Sequence, residues 1–237
     1  MTLDRYLKQA GGDTPRVERT SLKTQSTDLL RAQILSGKLP QGTRIAEKDL
    51  AELLGVSRMP ARDALVDLEH EGLIVSKPSG RFVIQLEKED IQNLFQVRIV
   101  LERLAVSQAA QQRTAEDNQV LQANLQRMRQ AIAEDNRDAY VKSDLEAHQL
   151  IWQQARNQYL LKMLNSIIGP IFVFMGSHTE FQNNWQETLQ MHQELTEAIC
   201  AGDVGRAVES IDGQLQYSLR LSLQAFEQAK PISHPKA

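Results

Sequence analysis

The sequence contains a single cysteine, few aromatic residues and no long apolar run. One cysteine, Cys200, cannot form an internal disulfide, so a fold held together by disulfide bridges is excluded. The longest apolar run, Ile167–Met175, is far shorter than the roughly 20 residues of a spanning helix, and Gly169 and Pro170 interrupt it. Residues 1–20 have no apolar core before a small-residue cleavage site, so no secretory signal is predicted. These absences favour a cytoplasmic protein without a membrane partner.

The composition is that of an ordinary globular protein, with 41% hydrophobic and 24% charged residues in 237. This length fits one large domain or two small ones. The net charge of −3 is unevenly divided, because residues 1–86 hold 13 basic against 11 acidic residues and the remainder holds 14 against 19. Any polyanionic partner is therefore expected to bind the front of the chain.

Short helical patterns occupy that front part. Leucine and isoleucine at helical spacing predict a helix from Leu22 to Leu35, followed by a Ser-Gly stop, and a second, short helix from Glu47 to Leu54. Gly55 permits the left-handed backbone of a tight turn, and Ser57 is a good N-cap for a third helix that Gly72 ends. This order predicts a helix-turn-helix.

A hairpin pattern follows the third helix. The β-rich runs Leu73–Val75 and Phe82–Ile84 are separated by the basic, turn-forming segment Ser76–Arg81. A helix-turn-helix with such a hairpin is a winged helix, whose third helix enters the DNA major groove. Arg58 and Arg62, one turn apart at the start of that helix, can then contact guanine or phosphate. Two arginines alone would more often only solubilise a surface helix, and it is the ordered context that favours DNA.

Three further cations are placed for contacts to the DNA backbone, namely Lys48 on the second helix and Lys77 and Arg81 on the wing.

This front part of the chain also carries the long pattern G-x-L-x-x-G-x-x-I-x-E-x-x-L-A-x-x-L-G-V-S-R-x-P-x-R-x-A-L-x-x-L-x-x-E-G-L. It resembles the DNA-binding domain of the GntR family of bacterial transcriptional regulators. The sequence departs from the usual family residues at Ala61 and Asp63. This resemblance implies DNA contacts from a set of seven residues: Lys48, Ser57, Arg58, Met59, Arg62, Ser79 and Gly80.

Helix-period patterns continue beyond residue 86 almost to the end of the chain. They predict helices at Glu89–Gln111 and at about 115–134, 137–156, 158–177, 184–202 and 204–229, with a kink at Gly169-Pro170 and a helix cap at Asn157. No strand pattern interrupts them. An all-helical bundle is therefore expected, and facing helices of such bundles often hold ligand and metal sites.

Two charged residues, Arg98 and Glu102, fall on the apolar face of the first bundle helix. They are spaced i, i+4 on the face that also carries Ile91 and Phe95, so both would be drawn inward, where a charge needs a partner. Two interpretations stand. Either the pair is self-contained, or Arg98 holds an anionic ligand.

Asp144 and His148 form a D-x-x-x-H pattern on one helical face, and His192 lies on a later helix. A histidine by itself is more often a surface or hydrogen-bonded core residue than a metal ligand. The segments VRIVLERLAVSQAA, SDLEAHQLIWQQARNQYLLKML and MHQELTEAICAGDVGRAVESIDGQLQ, however, resemble the effector (FCD) domain of the FadR-type branch of the GntR family. This resemblance implies a divalent metal held by one aspartate and three histidines, beside a small carboxylate effector.

Three of those four metal positions match here, and Gln214 stands where the family has its last histidine. A glutamine oxygen is a neutral and weaker ligand than imidazole for metals of the zinc or nickel type. The interpretation is therefore a metal site with reduced affinity, in which Gln214 is a weak fourth ligand or lies behind the other three.

The chain is accordingly identified as a GntR-family regulator of the FadR type, mainly α-helical. A winged helix-turn-helix at 22–86 precedes a helical effector-binding and dimerisation domain at 88–230, with a variable flexible tail at 1–21 and a tail at 231–237. We expect a homodimeric repressor that is not an enzyme, binds an inverted-repeat double-stranded DNA operator and responds to a small carboxylate metabolite. A metal sensor is one alternative. A metal-dependent hydrolase is a remote one. It would need a general base, for which Glu146 and Glu102 are the candidates near in sequence, and it would leave the attached winged helix without a role.

Overall fold

Nine helices and three short strands make up residues 22–178 and 184–228, the part of the chain that the computed structural model describes. The predicted tails, 1–21 and 231–237, lie outside these ranges. The front part contains α1 (Leu22–Leu35), β1 (Arg44–Ile45), α2 (Glu47–Leu54), α3 (Arg58–His70), β2 (Ile74–Lys77) and β3 (Gly80–Val83). The helical bundle contains α4 (Lys88–Gln112), α5 (Ala115–Ala133), α6 (Arg137–Gln154), α7 (Gln158–Gly176), α8 (Trp185–Ala201) and α9 (Val204–Gln228). The mainly α-helical prediction with a small wing is confirmed.

The turn between α2 and α3 forms as the glycine predicts. Gly55 closes α2 with a left-handed φ of 64°, and Ser57 precedes α3 in an extended conformation. The Ser57 side chain makes no capping hydrogen bond, contrary to its predicted role, so its hydroxyl stays exposed beside the helix start. The inner face of α3 is apolar and packs, through Leu65 and Leu68, into one core with Ile34 of α1.

Three leucines of the two predicted helices lie on the surface instead of in this core. Leu22, Leu29 and Leu53 are 58%, 51% and 80% exposed. A unit of three short helices buries only one narrow face of each, and in α1 that face includes Ser26 and Thr27, whose hydroxyls bond to backbone carbonyls of the preceding turn.

The wing is longer and tighter than predicted. β2 and β3 pair in antiparallel register from Ile74↔Val83 to Lys77↔Gly80, which leaves a turn of Pro78 and Ser79 only. Residues predicted as loop therefore lie in strands, because the ladder continues to the tip. β1, which the sequence analysis did not predict, joins the free edge of β3 to give the strand order β1-β3-β2.

The bundle packs its helices around α4, which lies mainly against α9, α6 and α7. Local signals fix the helix starts: Glu87 with Asp90 and Thr114 with Asp117 form capping boxes before α4 and α5. The predicted cap at Asn157 is confirmed, since its side-chain oxygen accepts hydrogen bonds from two backbone N–H groups at the start of α7.

Helix α7 joins the bundle to the winged helix. It runs without a break from Gln158 to Gly176 with Pro170 inside it, and the kink at Gly169-Pro170 stays a prediction. Val173 is fully buried in the winged-helix core, whereas Leu164 and Phe172 belong to a core of the bundle. Among the described residues, α7 alone is long and apolar enough to cross a membrane by length and composition, with a mean hydropathy of 1.5, but more than half of it is buried inside the protein. Its apolar character thus matches a core helix shared by two units.

Candidate DNA-binding surface and buried ligand site

The N-terminal turns of α3 present an exposed row of predicted contact residues. Ser57, Arg58, Met59 and Arg62 are all exposed, with Met59 at 62%. Within the described ranges neither arginine forms an ion pair or hydrogen bond, so both guanidinium groups are available to an incoming phosphate or base edge. The buried face opposite them holds α3 in place.

Lys48 and the wing tip flank this row. Lys48 is exposed on α2, with only a long contact of 3.8 Å between its Nζ and Glu52 Oε1. Lys77 and Ser79 are exposed at the wing, and Gly80 opens β3 with a φ of 129°, a backbone conformation that side chains avoid. Their exposure leaves them accessible to DNA, and their role as DNA contacts stays a prediction.

Arg81 differs from the other predicted contacts because its side chain turns inward. Its Nη1 lies 2.6 Å from Glu47 Oε1, and its Nε lies 3.7 Å from Glu69 Oε2. The guanidinium therefore ties the wing to α2 and α3 rather than facing outward. Arg44, which the sequence analysis missed, is exposed on β1 beside Gly80. A two-residue strand has no periodicity, so only its pairing with β3 reveals this cation.

The predicted metal-binding residues come together in the bundle. Asp144 and His148 lie one turn apart on α6, and His192 comes from α8, with one ligand atom of each within 4.8 Å of the others. All three are buried. His192 Nε2 is 2.6 Å from Asp144 Oδ1 and 2.8 Å from the amide nitrogen of Gln214 on α9. The four side chains thus form one cluster, as the sequence predicted.

The buried amide oxygen of Gln214 has no hydrogen-bond partner among the described residues. Such a group is costly unless a ligand, water or cation satisfies it. Asp144 also remains charged, because the hydrogen bond from His192 lowers its pKa although burial opposes this. One carboxylate, two imidazoles and an unsatisfied amide oxygen therefore fit a divalent cation, with Gln214 as the weakest donor.

Arg98 and Glu102 are fully buried and pair with each other. Arg98 Nε is 3.0 Å from Glu102 Oε1, and Trp152 Nε1 donates to Glu102 Oε2 at 2.8 Å. Arg98 Nη2 also lies 3.1 Å from His148 Nε2. The two side chains do pair, as the first interpretation has it, but Arg98 also lines the cavity described below, so its role in holding an anionic ligand stays a prediction.

Burial sets the protonation states around this pair. Burial alone would raise the pKa of Glu102, but the guanidinium of Arg98 and hydrogen bonds from His148 and Trp152 lower it to about 2, so the carboxylate is ionised and offsets the guanidinium. The pKa of His148 is lowered, mainly by burial and further by Arg98. A neutral imidazole is the form that binds a metal.

A cavity opens beside the cluster and extends toward the end of α7, with about 780 Å³ of empty space, part of it open to solvent. Its walls are mostly apolar and aromatic, with polar groups at both ends: Arg98, Arg137, Tyr140, Val141, Asp144, His148, Phe172, Met175, Gly176, Trp185, Thr188, Gln214, Leu215, Tyr217, Ser218 and Leu221. This combination is typical of a small-molecule site.

The sequence analysis missed the aromatic residues of this cavity. The rings of Tyr140 and Trp185 stack with centroids 4.9 Å apart, and Tyr217 donates its hydroxyl to Glu187 Oε2 at 2.6 Å. The chain has only two tryptophans: Trp185 lines the cavity, and Trp152 donates to Glu102, the partner of the cavity residue Arg98. Their rarity was a usable signal, because scarce aromatic side chains often mark binding sites.

Comparison with known proteins agrees with this two-part architecture. Residues 22–84 match the model for bacterial regulatory proteins of the gntR family, and residues 93–216 match the FCD domain. The chain belongs to the GntR family. The transcriptional repressor RspR of Escherichia coli K12 is 30% identical to this GntR-family chain over 182 residues, which cover 76% of the chain and 79% of RspR.

Two other relatives are similar over different lengths of the chain. The gluconate operon transcriptional repressor of Bacillus licheniformis is 26% identical over 187 residues, 77% of each protein. The regulator YdhC of Bacillus subtilis is 30% identical over 140 residues, 58% of this chain and 62% of YdhC, so that match spans less than two thirds of its relative.

Solved structures share the fold. E. coli McbR/YncC superposes with a TM-score of 0.72 at 24% identity, and a regulator from Rhodococcus sp. RHA1 with 0.73 at 22%; each alignment covers 87% of this chain and 99% of the other. The named relatives of this GntR-family protein are transcription regulators and not enzymes. The prediction that the chain is not an enzyme is confirmed, and the hydrolase alternative is wrong.

Proposed function

We propose that this GntR-family regulator is a cytoplasmic, homodimeric repressor that binds an inverted-repeat DNA operator and responds to a small carboxylate metabolite in the FCD cavity. The observation that carries the effector part is the cavity itself, which joins an apolar body to a buried cluster with an unsatisfied amide oxygen. Two similar proteins that bear the name repressor, RspR and the B. licheniformis gluconate operon repressor, support the sign of regulation.

A divalent metal of the zinc or nickel type is part of this proposal. Asp144, His148 and His192 would hold it, with Gln214 as a weak fourth donor. When bound, the metal would supply positive charge at this end of the cavity. The side chains that would hold it are largely buried, and the neutral imidazole of His148 can bind a metal without prior loss of a proton.

An exposed apolar row on α4 supports the dimer. Val97, Val100 and Leu104 lie at i, i+3 and i+7 and are 51%, 65% and 45% exposed. A row of this kind on one helix is suited to packing against the same row of a second copy. Twofold symmetry would then place the two α3 helices over two half-sites of one operator.

Substitution of the recognition arginines tests the DNA-binding part. We expect Arg58→Ala and Arg62→Ala each to weaken operator binding by about 1–3 kcal/mol and to relax sequence preference, because both lose base or phosphate contacts. Binding is measured by fluorescence anisotropy on DNA selected from a random pool by the wild-type protein. Lys77→Ala is the comparison variant, since the loss of a wing contact to phosphate should weaken binding to all DNA sequences about equally. Unchanged binding by both arginine variants would refute the assignment of α3.

Substitution of Gln214 tests the metal part. We expect Gln214→His to tighten zinc or nickel binding by about tenfold or more, because imidazole replaces a neutral amide at a site that already offers three donors. Isothermal titration of metal into both proteins measures the change, and Gln190→His on the exposed face of α8 is the control. Equal affinity in the wild type and Gln214→His would show that Gln214 does not face the metal.

The same proteins address the alternative that the metal is itself the effector, which the convergence of Asp144, His148 and His192 favours. In that case metal alone would change operator affinity, and no carboxylate would be required. Operator binding that is equal with and without metal would eliminate the sensor. A thermal-shift screen of small carboxylates, with and without divalent cations, would then identify effectors, because a ligand that binds only the folded state raises its stability.

A further inference from the structure

The two arginines that line the FCD cavity differ in how their charge is balanced. Arg98 Nε lies 3.0 Å from the buried carboxyl group of Glu102, and the carboxyl group of Asp144 lines the same end of the cavity. In the absence of a metal, this end therefore offers an anion little attraction. Arg137 lines the other end and forms no ion pair within residues 22–178 and 184–228.

Among the described residues, the Arg137 side chain makes one hydrogen bond, and it goes to the end of α7. Arg137 is the first residue of α6, is partly buried, and donates from Nη2 to the backbone carbonyl of Gly176, the last residue of α7. A carbonyl is a neutral acceptor. A carboxylate that reached the guanidinium would form a stronger, charge-assisted and bidentate bond.

Gly176 also touches the winged helix directly. A side-chain carbon added to Gly176 would clash with the backbone carbonyl of Leu35, and one added to Gly37 would clash with the carbonyl of Gly176. No side chain separates the two backbones there. The carbonyl that Arg137 holds is therefore in van der Waals contact with the end of α1.

A second contact is made by the next residue of α6. Asp138, the neighbour of Arg137, pairs with Lys38 just beyond α1, with 2.7 Å between Lys38 Nζ and Asp138 Oδ2. The start of α6 thus reaches the winged helix both through Gly176 and through this exposed pair. Both contacts meet the winged helix at one short segment, residues 35–38.

α7 also packs against the recognition helix and the turn that follows it. Gly169 packs so closely on the turn after α3 that an added side chain would clash with the carbonyl of Glu71, and Val173 contributes to the same core as Leu65 and Leu68. Because these contacts are backbone-to-backbone or fully buried, α7 and the winged helix move as packed bodies rather than by side-chain rotation.

We propose that Arg137 is the residue that binds the anionic group of the effector, and that transfer of its hydrogen bond from the Gly176 carbonyl to that anion transmits binding to the winged helix. The inference rests on the proposed effector function. The ligand class is a small carboxylate with an apolar body, because Phe172, Met175 and Leu221 line the same cavity as Arg137.

The binding half is tested with acetate, butyrate, hexanoate and benzoate, each beside its primary amide, on the full chain without added metal. We expect an acid of this set, but not its amide, to raise the melting temperature of the wild type and to bind by titration calorimetry. Arg137→Gln should weaken that binding about tenfold or more, and Arg137→Lys should restore part of it. Arg127→Gln, on α5 outside the cavity, is the control and should bind as the wild type does.

The transmission half is read from operator affinity in the same samples. The acid should weaken operator binding by the wild type and by Arg127→Gln but not by Arg137→Gln. Equal acid binding by the wild type and Arg137→Gln would overturn the anchor, and the proposed function would stand if the acid still released DNA. Acid binding that needs Arg137 but leaves operator affinity unchanged would overturn the transmission.

If no acid of the set bound the wild type, the anchor would be overturned as an acid-binding site in the metal-free protein. The proposed function would then be judged separately, by the carboxylate screen with metal and by the Arg58 and Arg62 variants. The two failures are therefore distinguishable.

Discussion

Arg98→Ala should lower the free energy of unfolding by about 3–5 kcal/mol, because it leaves the fully buried carboxylate of Glu102 without its guanidinium partner. The remaining hydrogen bond from Trp152 does not neutralise that charge. Urea denaturation followed by circular dichroism measures the change. A variant as stable as the wild type would contradict the buried pair.

The size of this effect also changes how Arg98 can be studied. If Arg98 did no more than hold an anionic ligand, Arg98→Ala would remove the effector response and leave DNA binding alone. The paired geometry makes that outcome unattainable with a single substitution. The double variant Arg98→Met with Glu102→Gln removes both charges together and keeps an acceptor for Trp152, so it should unfold at a higher urea concentration than Arg98→Ala.

An exposed pair provides the comparison. Arg103 and Asp212 form an ion pair on the surface between α4 and α9, with 2.6 Å between Nε and Oδ1. Arg103→Ala should change stability far less than Arg98→Ala, because water solvates the carboxylate that is left behind. Equal losses in the two variants would mean that burial does not determine the cost.

Gly176→Ala should destabilise the protein by about 1–3 kcal/mol or more, because the added methyl group meets the backbone of Leu35, which cannot rotate away. In most helices the same substitution stabilises by reducing the freedom of the unfolded chain. The chain contains a matched control in Gly213 on α9, where an added methyl group meets nothing within 4 Å. Gly213→Ala should stabilise by about 0.5–1 kcal/mol.

Thermal and urea unfolding of the two variants measure the difference. Operator affinity of folded Gly176→Ala should also fall, because the end of α7 is displaced from α1. Stabilisation by both substitutions would refute the close approach of the two helices, and with it the contact on which the role of Arg137 depends.

Much of the winged helix could be predicted because its signals are local. The left-handed turn at Gly55, the start of α3 and the exposed positions of Arg58 and Arg62 each depend on residues within a few positions of one another. The inward turn of Arg81 could not be predicted, since its partner Glu47 is 34 residues away and approaches only when the wing packs. The short strand β1 was missed for the same reason.

The buried site was predictable only as a set of side chains. Asp144 and His148 share a helical face, and the resemblance to the family pointed to His192 and Gln214, which the structure brings to them. Arg137 carries no motif. Its position at the cavity follows from the packing of α6 against the end of α7, which no spacing in the sequence encodes.

The place of Val173 in the core of the winged helix bears on how such regulators can be recombined. A chain boundary near residue 87 separates the two parts along the sequence, but the DNA-reading part completes its apolar interior with a side chain that follows more than eighty residues later. A chimera that exchanged the sensor at that boundary would keep an intact reader only if the new sensor supplied an equivalent helix, with glycines where α7 meets the winged helix. The part of this protein that can be exchanged as a unit is therefore the sensor together with a helix that packs into the winged helix as α7 does.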